Sequence, residues 1–191
     1  MAGRGLVVVI SAPSGGGKST VIREILKKDD SRYTYSVSTT TRDKRDDEID
    51  GKDYIFVDEE TFHSKIQTAE FLEWAIVHGN YYGTSKGQID AFLEDDKIIL
   101  LDIDVQGGLE VKNQYLEKAL LIFVMPPSMQ ELEKRLRNRQ TDNDKEITKR
   151  LAAVPKEIEH ASFYDKIVVN KNLNNTTTEV IGIIEQKYQS L

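Results

Sequence analysis

A short apolar run that leads into a glycine-rich loop constrains the fold of this chain more than any other feature. The run GLVVVIS covers residues 5–11, the loop SAPSGGGKST covers 11–20, and a helical pattern follows over about 18–28. Glycines let backbone N–H groups turn inward around phosphate oxygens, and a helix that begins there adds the positive end of its dipole. The order of strand, loop and helix therefore predicts a phosphate-binding loop carried by a parallel sheet.

The end of this loop has the residues of a nucleotide site. In the pattern Gly17, Lys18, Ser19, the lysine would bridge the β- and γ-phosphates of a nucleoside triphosphate and the serine hydroxyl would bind Mg²⁺. An accidental glycine turn is the alternative, and the flanking strand and helix argue against it. Ala12 stands where the usual pattern begins with glycine, but it adds only one methyl group. The predicted nucleotide-binding residues of the loop are Ala12, Pro13, Ser14, Gly15, Gly16, Gly17, Lys18, Ser19 and Thr20.

Three further apolar runs alternate with helical patterns along the chain. The runs are KIILLDI (97–103), ALLIFVM (119–125) and KIVV (166–169). Continuous runs of this kind are typical of strands buried on both faces of a parallel sheet. Helices are expected over about 105–115, 128–138, 144–162 and 176–188. Ser128 and Thr176 are the expected amino-terminal caps of two of them. The alternation predicts an α/β fold with a three-layer P-loop core.

The segment 33–96 has a different character. Its strand candidates are shorter, more aromatic and more polar, and turn signals stand at Asp50-Gly51 and Gly79-Asn80. We expect a small mixed α+β subdomain here, inserted between two core segments that cover residues 1–32 and 97–191. A polar stretch at about 136–148 lacks an apolar period and is predicted to form a short lid within the core.

The inserted segment carries groups suited to a second phosphate. Arg42 and Arg45 lie three residues apart after a predicted strand, and Tyr54 leads into the next strand. Guanidinium forks and phenol hydroxyls are the groups that hold a phosphate. A solvated charged hairpin is the alternative interpretation of the same residues.

Three carboxylates extend this pattern toward a base and a metal ion. Glu73 could accept from the N1–H and N2–H₂ donors that guanine presents side by side, although taken alone it could equally be a surface strand residue. Asp102 and Asp104 end a buried strand, at the edge of a parallel sheet where ligands bind. Asp102 could orient water on Mg²⁺, and a simple strand-end turn is the alternative.

Composition bounds the remaining function classes. The 191 residues are 39% hydrophobic and 30% charged, as expected of a soluble globular protein. The absence of cysteine excludes disulfides and thiolate metal sites. A net charge of −6 argues against a nucleic-acid surface. The amino-terminal apolar run is too short for a signal segment or a membrane span, so we expect a cytoplasmic protein with no membrane partner. The oligomeric state stays open, a homo-oligomer included.

In this order and spacing the motifs resemble those of the guanylate kinases. The motifs are SAPSGGGKST, STTTR with a further arginine, DGKDYIFV, FLEWA, GNYYGTS, LDIDVQG and IVVN, and they extend from about Gly5 to Tyr188. The resemblance implies Mg²⁺-dependent transfer of the ATP γ-phosphoryl group to GMP, and to dGMP, with ATP and GMP as the partners.

The resemblance also implies roles for individual residues. The GMP phosphate would be held by Arg42, Arg45, Tyr54 and Tyr82, and guanine by Ser38, Glu73, Thr84 and Asp104. The ATP phosphates would be closed over by Arg135, Arg139 and Arg150, with Asn170 at adenine. The catalytic set would be Lys18, Arg42, Arg135, Arg139 and Arg150, and Mg²⁺ would lie at Ser19 and, through water, at Asp102. Lys44 stands where the family often has proline, which predicts a looser loop around Arg42.

Three alternative functions fit the same sequence less well. Another nucleoside monophosphate kinase is disfavoured by Glu73 and Asp104, because these carboxylates suit the N–H donors of guanine. A non-catalytic protein-binding module related to guanylate kinases would have a degraded loop, whereas this chain retains Lys18. A nucleic-acid-binding ATPase is disfavoured by the net charge of −6.

Overall fold

The computed structural model describes residues 4–28, 30–46, 48–77, 79–138 and 144–191. The strands in these ranges are β1 Leu6–Ser11, β2 Tyr33–Tyr35, β3 Thr39–Thr40, β4 Ile55–Phe56, β5 Phe71–Val77, β6 Asn80–Ser85, β7 Ile98–Leu101, β8 Ala119–Met125 and β9 Lys166–Val169. The helices are α1 Lys18–Leu26, α2 Glu59–Gln67, α3 Lys86–Glu94, α4 Val105–Tyr115, α5 Met129–Asn138, α6 Asp144–Glu159 and α7 Leu173–Gln189. Short 3₁₀ turns follow α4 at Leu116–Lys118 and α6 at His160–Phe163.

Five strands form a parallel core sheet in the order β2-β7-β1-β8-β9. The central strand β1 is buried along its whole length, because helices cover both faces of the sheet. Apolar residues of α1 and α7 pack on one face, and those of α3 and α4 pack on the other. The predicted α/β fold with a three-layer core is therefore confirmed.

The second sheet is small and mixed, in the order β4-β3-β6-β5. Strands β3 and β4 are parallel, whereas β6 runs antiparallel to both β3 and β5. One boundary differs from the prediction, which placed Tyr33 at the start of the inserted subdomain. Strand β2 instead pairs with β7 as an edge of the core sheet, because Tyr33 and Tyr35 pack against the apolar cluster beneath it. The division into segments 1–32, 33–96 and 97–191 otherwise stays a prediction.

Two predicted helix starts have different outcomes. Ser128 caps α5 as expected, with its Oγ accepting from the Glu131 N–H at 3.1 Å. The start of the last helix was predicted wrongly, because α7 begins at Leu173 and Thr176 is buried within it. The actual cap is Asn172, whose side chain accepts from the Asn175 N–H at 3.1 Å. Among the helices in the described ranges, none combines the length and apolarity needed to cross a bilayer.

Candidate active site

The glycine loop between β1 and α1 presents backbone donors at the amino end of α1. Gly15 and Gly17 have φ values of 87° and 99°, in the left-handed region that strains other residues. Gly17 directly precedes α1, and no side chain in the described ranges caps the helix there. The N–H groups of the first turn are therefore left for a ligand, and the helix dipole favours an anion at this position.

The end of β7 meets the start of α1 through Asp102. Because β1 and β7 are parallel neighbours, Asp102 follows β7 at the same edge where the loop follows β1. Lys18 Nζ lies 2.7 Å from Asp102 Oδ1, and the Ser19 hydroxyl donates to Oδ2 of the same carboxylate. Burial lowers the pKa of Lys18, but the charge and hydrogen bond of Asp102, together with Tyr54 and Asp104, outweigh it, so the pKa is raised and the ammonium stays charged.

Ser19 and Asp102 fit a magnesium site in which the phosphates of the substrate supply some of the metal ligands. No cluster of three or more metal-binding side chains occurs in the part of the chain that the structure describes. Mg²⁺ in phosphoryl-transfer sites is commonly bound by one or two protein oxygens together with substrate phosphates and water. The Ser19 hydroxyl and the Asp102 carboxylate, which touch each other, provide such a pair of oxygen donors.

A cleft of about 460 Å³ extends from the glycine loop to the second sheet. It is lined at the loop by residues 12–19 and at the sheet by Ser38, Tyr54, Glu73 and Tyr82. Asp102 and Asp104 also line it. One cavity thus contains residues predicted to bind ATP and residues predicted to bind GMP.

Arg42 lies beside the aromatic wall of this cleft. Its Nη2 is 2.7 Å from Glu48 Oε1, and its guanidinium lies 5.4 Å from the ring centre of Tyr54. Burial lowers the pKa of Arg42, but the hydrogen bonds to Glu48 and Tyr82 and the charges of these two groups together outweigh it and raise the pKa. Arg45 was predicted to act with Arg42, yet its side chain is exposed and its backbone N–H donates to Glu48 at 2.9 Å.

Glu48 was missed by the sequence argument. It accepts from both Nη2 of Arg42 and the N–H of Arg45, so it joins the two predicted phosphate-binding residues. Its side chain is only 12% exposed, against 17% for Arg42, which makes this pair more protected from water than an ordinary surface ion pair. Glu48 lies three residues after Arg45 and six after Arg42, in an irregular loop. Such a loop has no fixed period, so these spacings could not predict that the three residues are in contact.

The predicted guanine contacts converge at the far end of the cleft. Thr84 and Glu73 are paired across β5 and β6, and the Thr84 hydroxyl donates to Glu73 Oε1. Burial raises the pKa of Glu73 to about 7; the Thr84 hydrogen bond opposes this shift, and the nearby Asp104 charge adds to it. Asp104 caps α4, with Oδ1 accepting from the N–H groups of Gln106 and Gly107 at 3.0 and 2.8 Å. Ser38 is buried at the edge of the same cleft.

Helix α6 forms the wall that faces the glycine loop. Arg150 Nη1 lies 3.4 Å from Ser14 Oγ, and the Ser14 N–H donates to Glu157 Oε2 at 3.2 Å. Glu157 was also missed by the sequence argument. Its spacing of seven from Arg150 places both residues on one face of the helix, which is the signal that could have revealed it.

Three predicted ATP-binding residues remain, namely Arg135, Asn170 and Arg139, and the structure describes the first two. Arg135 Nη2 donates to the Asn170 carbonyl at 3.1 Å, and the Asn170 amide donates to the Gly16 carbonyl at 3.2 Å. Both residues therefore lie against the glycine loop. Arg139 and most of the predicted lid centre lie outside the described residues.

The fold and the cleft together define a class of protein. A parallel sheet that presents a glycine loop with Lys18 and Ser19, faced across one cleft by a smaller mixed sheet, is the architecture of a P-loop nucleoside monophosphate kinase, a transferase. A family model described as "Guanylate kinase" matches residues 4–187. The chain belongs to the guanylate kinase family, as the motifs predicted.

Relatives and a solved structure agree with this assignment. The chain is 43% identical over 181 residues to a guanylate kinase of Clostridium tetani, covering 95% of this chain and 86% of the relative. It is 44% identical over 181 residues to a guanylate kinase of Fusobacterium nucleatum, covering 95% and 96%. The crystal structure of guanylate kinase from Anaplasma phagocytophilum is similar, with a TM-score of 0.79, 33% identity, and coverage of 96% of this chain and 86% of the other.

Proposed function

We propose that this chain transfers the γ-phosphoryl group of ATP to GMP, and to dGMP, with Mg²⁺, giving ADP and GDP or dGDP. The observation that carries the proposal is the single cleft that joins the glycine loop to the carboxylates Glu73 and Asp104. Two nucleotides bound at its two ends would meet with their phosphates between them. Holding both reactants in one site supplies much of the rate enhancement, because it replaces a bimolecular encounter.

The donor end binds ATP through the loop. Backbone N–H groups at the start of α1 and the Lys18 ammonium would neutralise the β- and γ-phosphates. Ser19 and Asp102 would hold Mg²⁺, which when bound supplies positive charge to the phosphate oxygens. Arg150 approaches the loop from α6 and would add a further cation near the transferred group. Arg135 and Arg139 complete the predicted set.

The acceptor end selects the base and holds its phosphate. Glu73, with Asp104, would accept from guanine N1–H and N2–H₂, while Thr84 and Ser38 offer hydroxyls. Arg42, Tyr54, Tyr82 and Arg45 would hold the GMP phosphate.

Little proton chemistry is needed at the reacting atoms. The acceptor oxygen belongs to a phosphate that is already anionic at neutral pH, so a strong general base is unnecessary. The chain's contribution is positioning and charge neutralisation by Lys18 and the arginines. Closure of the predicted subdomain 33–96 over GMP would exclude water, which otherwise hydrolyses ATP.

A coupled assay of ADP formation with GMP, dGMP, AMP, UMP and dTMP as separate acceptors tests the proposal. GMP should give the highest kcat/KM, and Arg42→Ala should lose most of the turnover because the phosphate loses its bidentate partner. Faster phosphorylation of AMP, UMP or dTMP would point to another monophosphate kinase. Failure to bind Mg-ATP would point to a non-catalytic protein-binding module.

A further inference from the structure

Two adjacent glycines stand in the first turn of α4, where glycine weakens a helix. Gly107 and Gly108 follow the cap Asp104, and neither has a φ in the left-handed region. The backbone at these positions could therefore carry alanine, which would stabilise the helix by up to about 1 kcal/mol per position. A close approach by another group is the remaining physical reason for glycine.

At Gly107 the approaching group is the carboxylate of Glu73. A Cβ on Gly107 would lie 2.6 Å from Glu73 Oε2 and 3.0 Å from its Cδ, both shorter than van der Waals contact. At Gly108 the group differs, because a Cβ there would lie 2.4 Å from the Tyr164 hydroxyl oxygen. That hydroxyl belongs to a buried hydrogen-bond chain, in which it donates to Ser11 at 2.7 Å and Ser11 donates to the Ile103 carbonyl at 2.9 Å. Gly108 therefore makes room for the core, whereas Gly107 makes room for a group of the cleft.

Gly107 touches both carboxylates at the far end of the cleft. Its missing side chain leaves space for Glu73, and its N–H donates to Asp104 Oδ1 at 2.8 Å. Glu73 is held from the opposite side by the Thr84 hydroxyl. The carboxylate of Glu73 thus lies between Thr84 on β6 and the first turn of α4, and any atom added at Gly107 would push it out of this position.

We propose that Gly107 is a positioning residue that fixes the Glu73 carboxylate for guanine recognition and so sets the preference for the base. The proposal rests on the proposed function, because it concerns how that acceptor site reads its substrate. Glu73 belongs to the second sheet, whereas the donor loop follows β1 of the core sheet, so Gly107 acts on the monophosphate and leaves ATP binding unchanged.

The test compares Gly107→Ala with Gly182→Ala. Gly182 lies in α7, where a Cβ would have no atom within 4 Å, so it controls for the general effect of alanine in a helix. We expect Gly107→Ala to raise the KM for GMP by about 10- to 100-fold, since a displacement of about 1 Å is costly at such a site. The KM for ATP should stay within about twofold of the wild type. Gly182→Ala should leave both constants unchanged.

Base selectivity supplies a readout that a merely structural role would not move. IMP lacks the 2-amino group of GMP, so the ratio of kcat/KM for GMP over IMP measures the contact that Glu73 makes with that edge. The ratio should fall in Gly107→Ala and hold in Gly182→Ala. Equal loss of GMP and ATP affinity, or an unchanged GMP over IMP ratio, would overturn the proposal.

A second variant keeps the test decisive if Gly107→Ala does not fold. Glu73→Asp shortens the side chain by one methylene and withdraws it from Gly107. Adding Gly107→Ala to Glu73→Asp should therefore cost little further stability or GMP affinity, and a double variant that is unfolded, or that binds GMP much more weakly than Glu73→Asp alone, would reject the proposal. Wild-type protein without activity on GMP would reject the proposed function, and this inference with it; active wild type with an indifferent Gly107→Ala would reject the inference alone.

Discussion

At the scale of single residues, Lys18 is paired with the carboxylate of Asp102 at the start of α1. Asp102 keeps the Lys18 ammonium charged in a partly buried position and holds the Ser19 hydroxyl on its second oxygen. A charge that is already oriented needs no reorganisation when phosphate charge develops next to it, which is the condition for effective electrostatic stabilisation.

Replacing Lys18 by alanine should lower kcat by about 100-fold or more, because it removes the cation between the transferred and leaving phosphates. Steady-state kinetics with saturating GMP measure the loss. Lys27→Ala, at the residue directly after the same helix, is the matched control, since Lys27 is exposed and its only ion pair among the described contacts is with Glu24. Turnover near that of the wild type in Lys18→Ala would show that the loop is not the donor site.

Glu73 shows the opposite electrostatic situation, an acid whose environment favours its neutral form. Burial and Asp104 raise its pKa, and the hydrogen bond from Thr84 and the Lys18 charge only partly compensate. Guanine donors need the carboxylate, so GMP must bind the minority form when the pH lies below about 7.

The KM for GMP should therefore rise by about tenfold between pH 8 and pH 6. The direction follows from the raised pKa: protons compete with GMP for Glu73 below about 7 and no longer compete above it. KM measured across this range, with the KM for ATP as the internal comparison, tests this. The pH dependence of the KM for GMP in Glu73→Gln isolates the titration of the GMP phosphate itself. The same pH dependence in the wild type and in Glu73→Gln would contradict the assignment of the titration to Glu73.

At the scale of elements, α6 is the helix that packs against the outside of the glycine loop. Its face at Arg150 and Glu157 contacts Ser14, while the 3₁₀ turn after it leads to Tyr164, which is hydrogen-bonded to Ser11 at the end of β1. Helix α6 thus contacts the glycine loop directly, and the chain that follows it contacts the end of β1 through Tyr164.

Glu157→Ala should lower the free energy of unfolding by about 1–2 kcal/mol, because the Ser14 N–H loses a charged acceptor. Urea denaturation of the unliganded protein measures this. Glu159→Ala, an exposed position on the same helix, should change the value by less than about 0.5 kcal/mol. Equal effects of the two substitutions would mean that the contact with the loop contributes nothing to stability.

At the scale of the whole molecule, the two sheets divide the cleft into ends that different residues serve. Lys18 and the loop belong to the core sheet, whereas Glu73 and Thr84 belong to the second sheet. Binding at one end should therefore be measurable when the other end is disabled.

GMP at 100 times its dissociation constant should stabilise the protein by about 2.7 kcal/mol, in Lys18→Ala as well as in the wild type. A thermal-shift titration measures the effect. Glu73→Gln should show little stabilisation by GMP but a normal response to Mg-ATP. Loss of the GMP response in Lys18→Ala would show that the two ends are not independent.

Features of the chain that depend on local chemistry could be predicted from the sequence. The continuous apolar runs at β1, β7 and β8 and the glycines of the loop predicted the core, because burial on both faces and positive φ values leave direct traces in residue type. The order of the motifs predicted the family. Strand β2 and the start of α7 were misplaced, because burial of Tyr33 and Thr176 by the rest of the molecule outweighed the local patterns.

By itself the sequence determined the core architecture, the glycine loop and the family, since these follow from residue types at fixed short spacings. Only the tertiary structure decided which groups are in contact. Glu48 is hydrogen-bonded to Arg42, Glu157 is hydrogen-bonded to Ser14, and Glu73 lies against Gly107. The partners in the last two contacts are separated by tens of residues or more, and Glu48 joins Arg42 across an irregular loop. Such contacts depend on how whole elements pack against one another, and a local sequence pattern does not encode that packing.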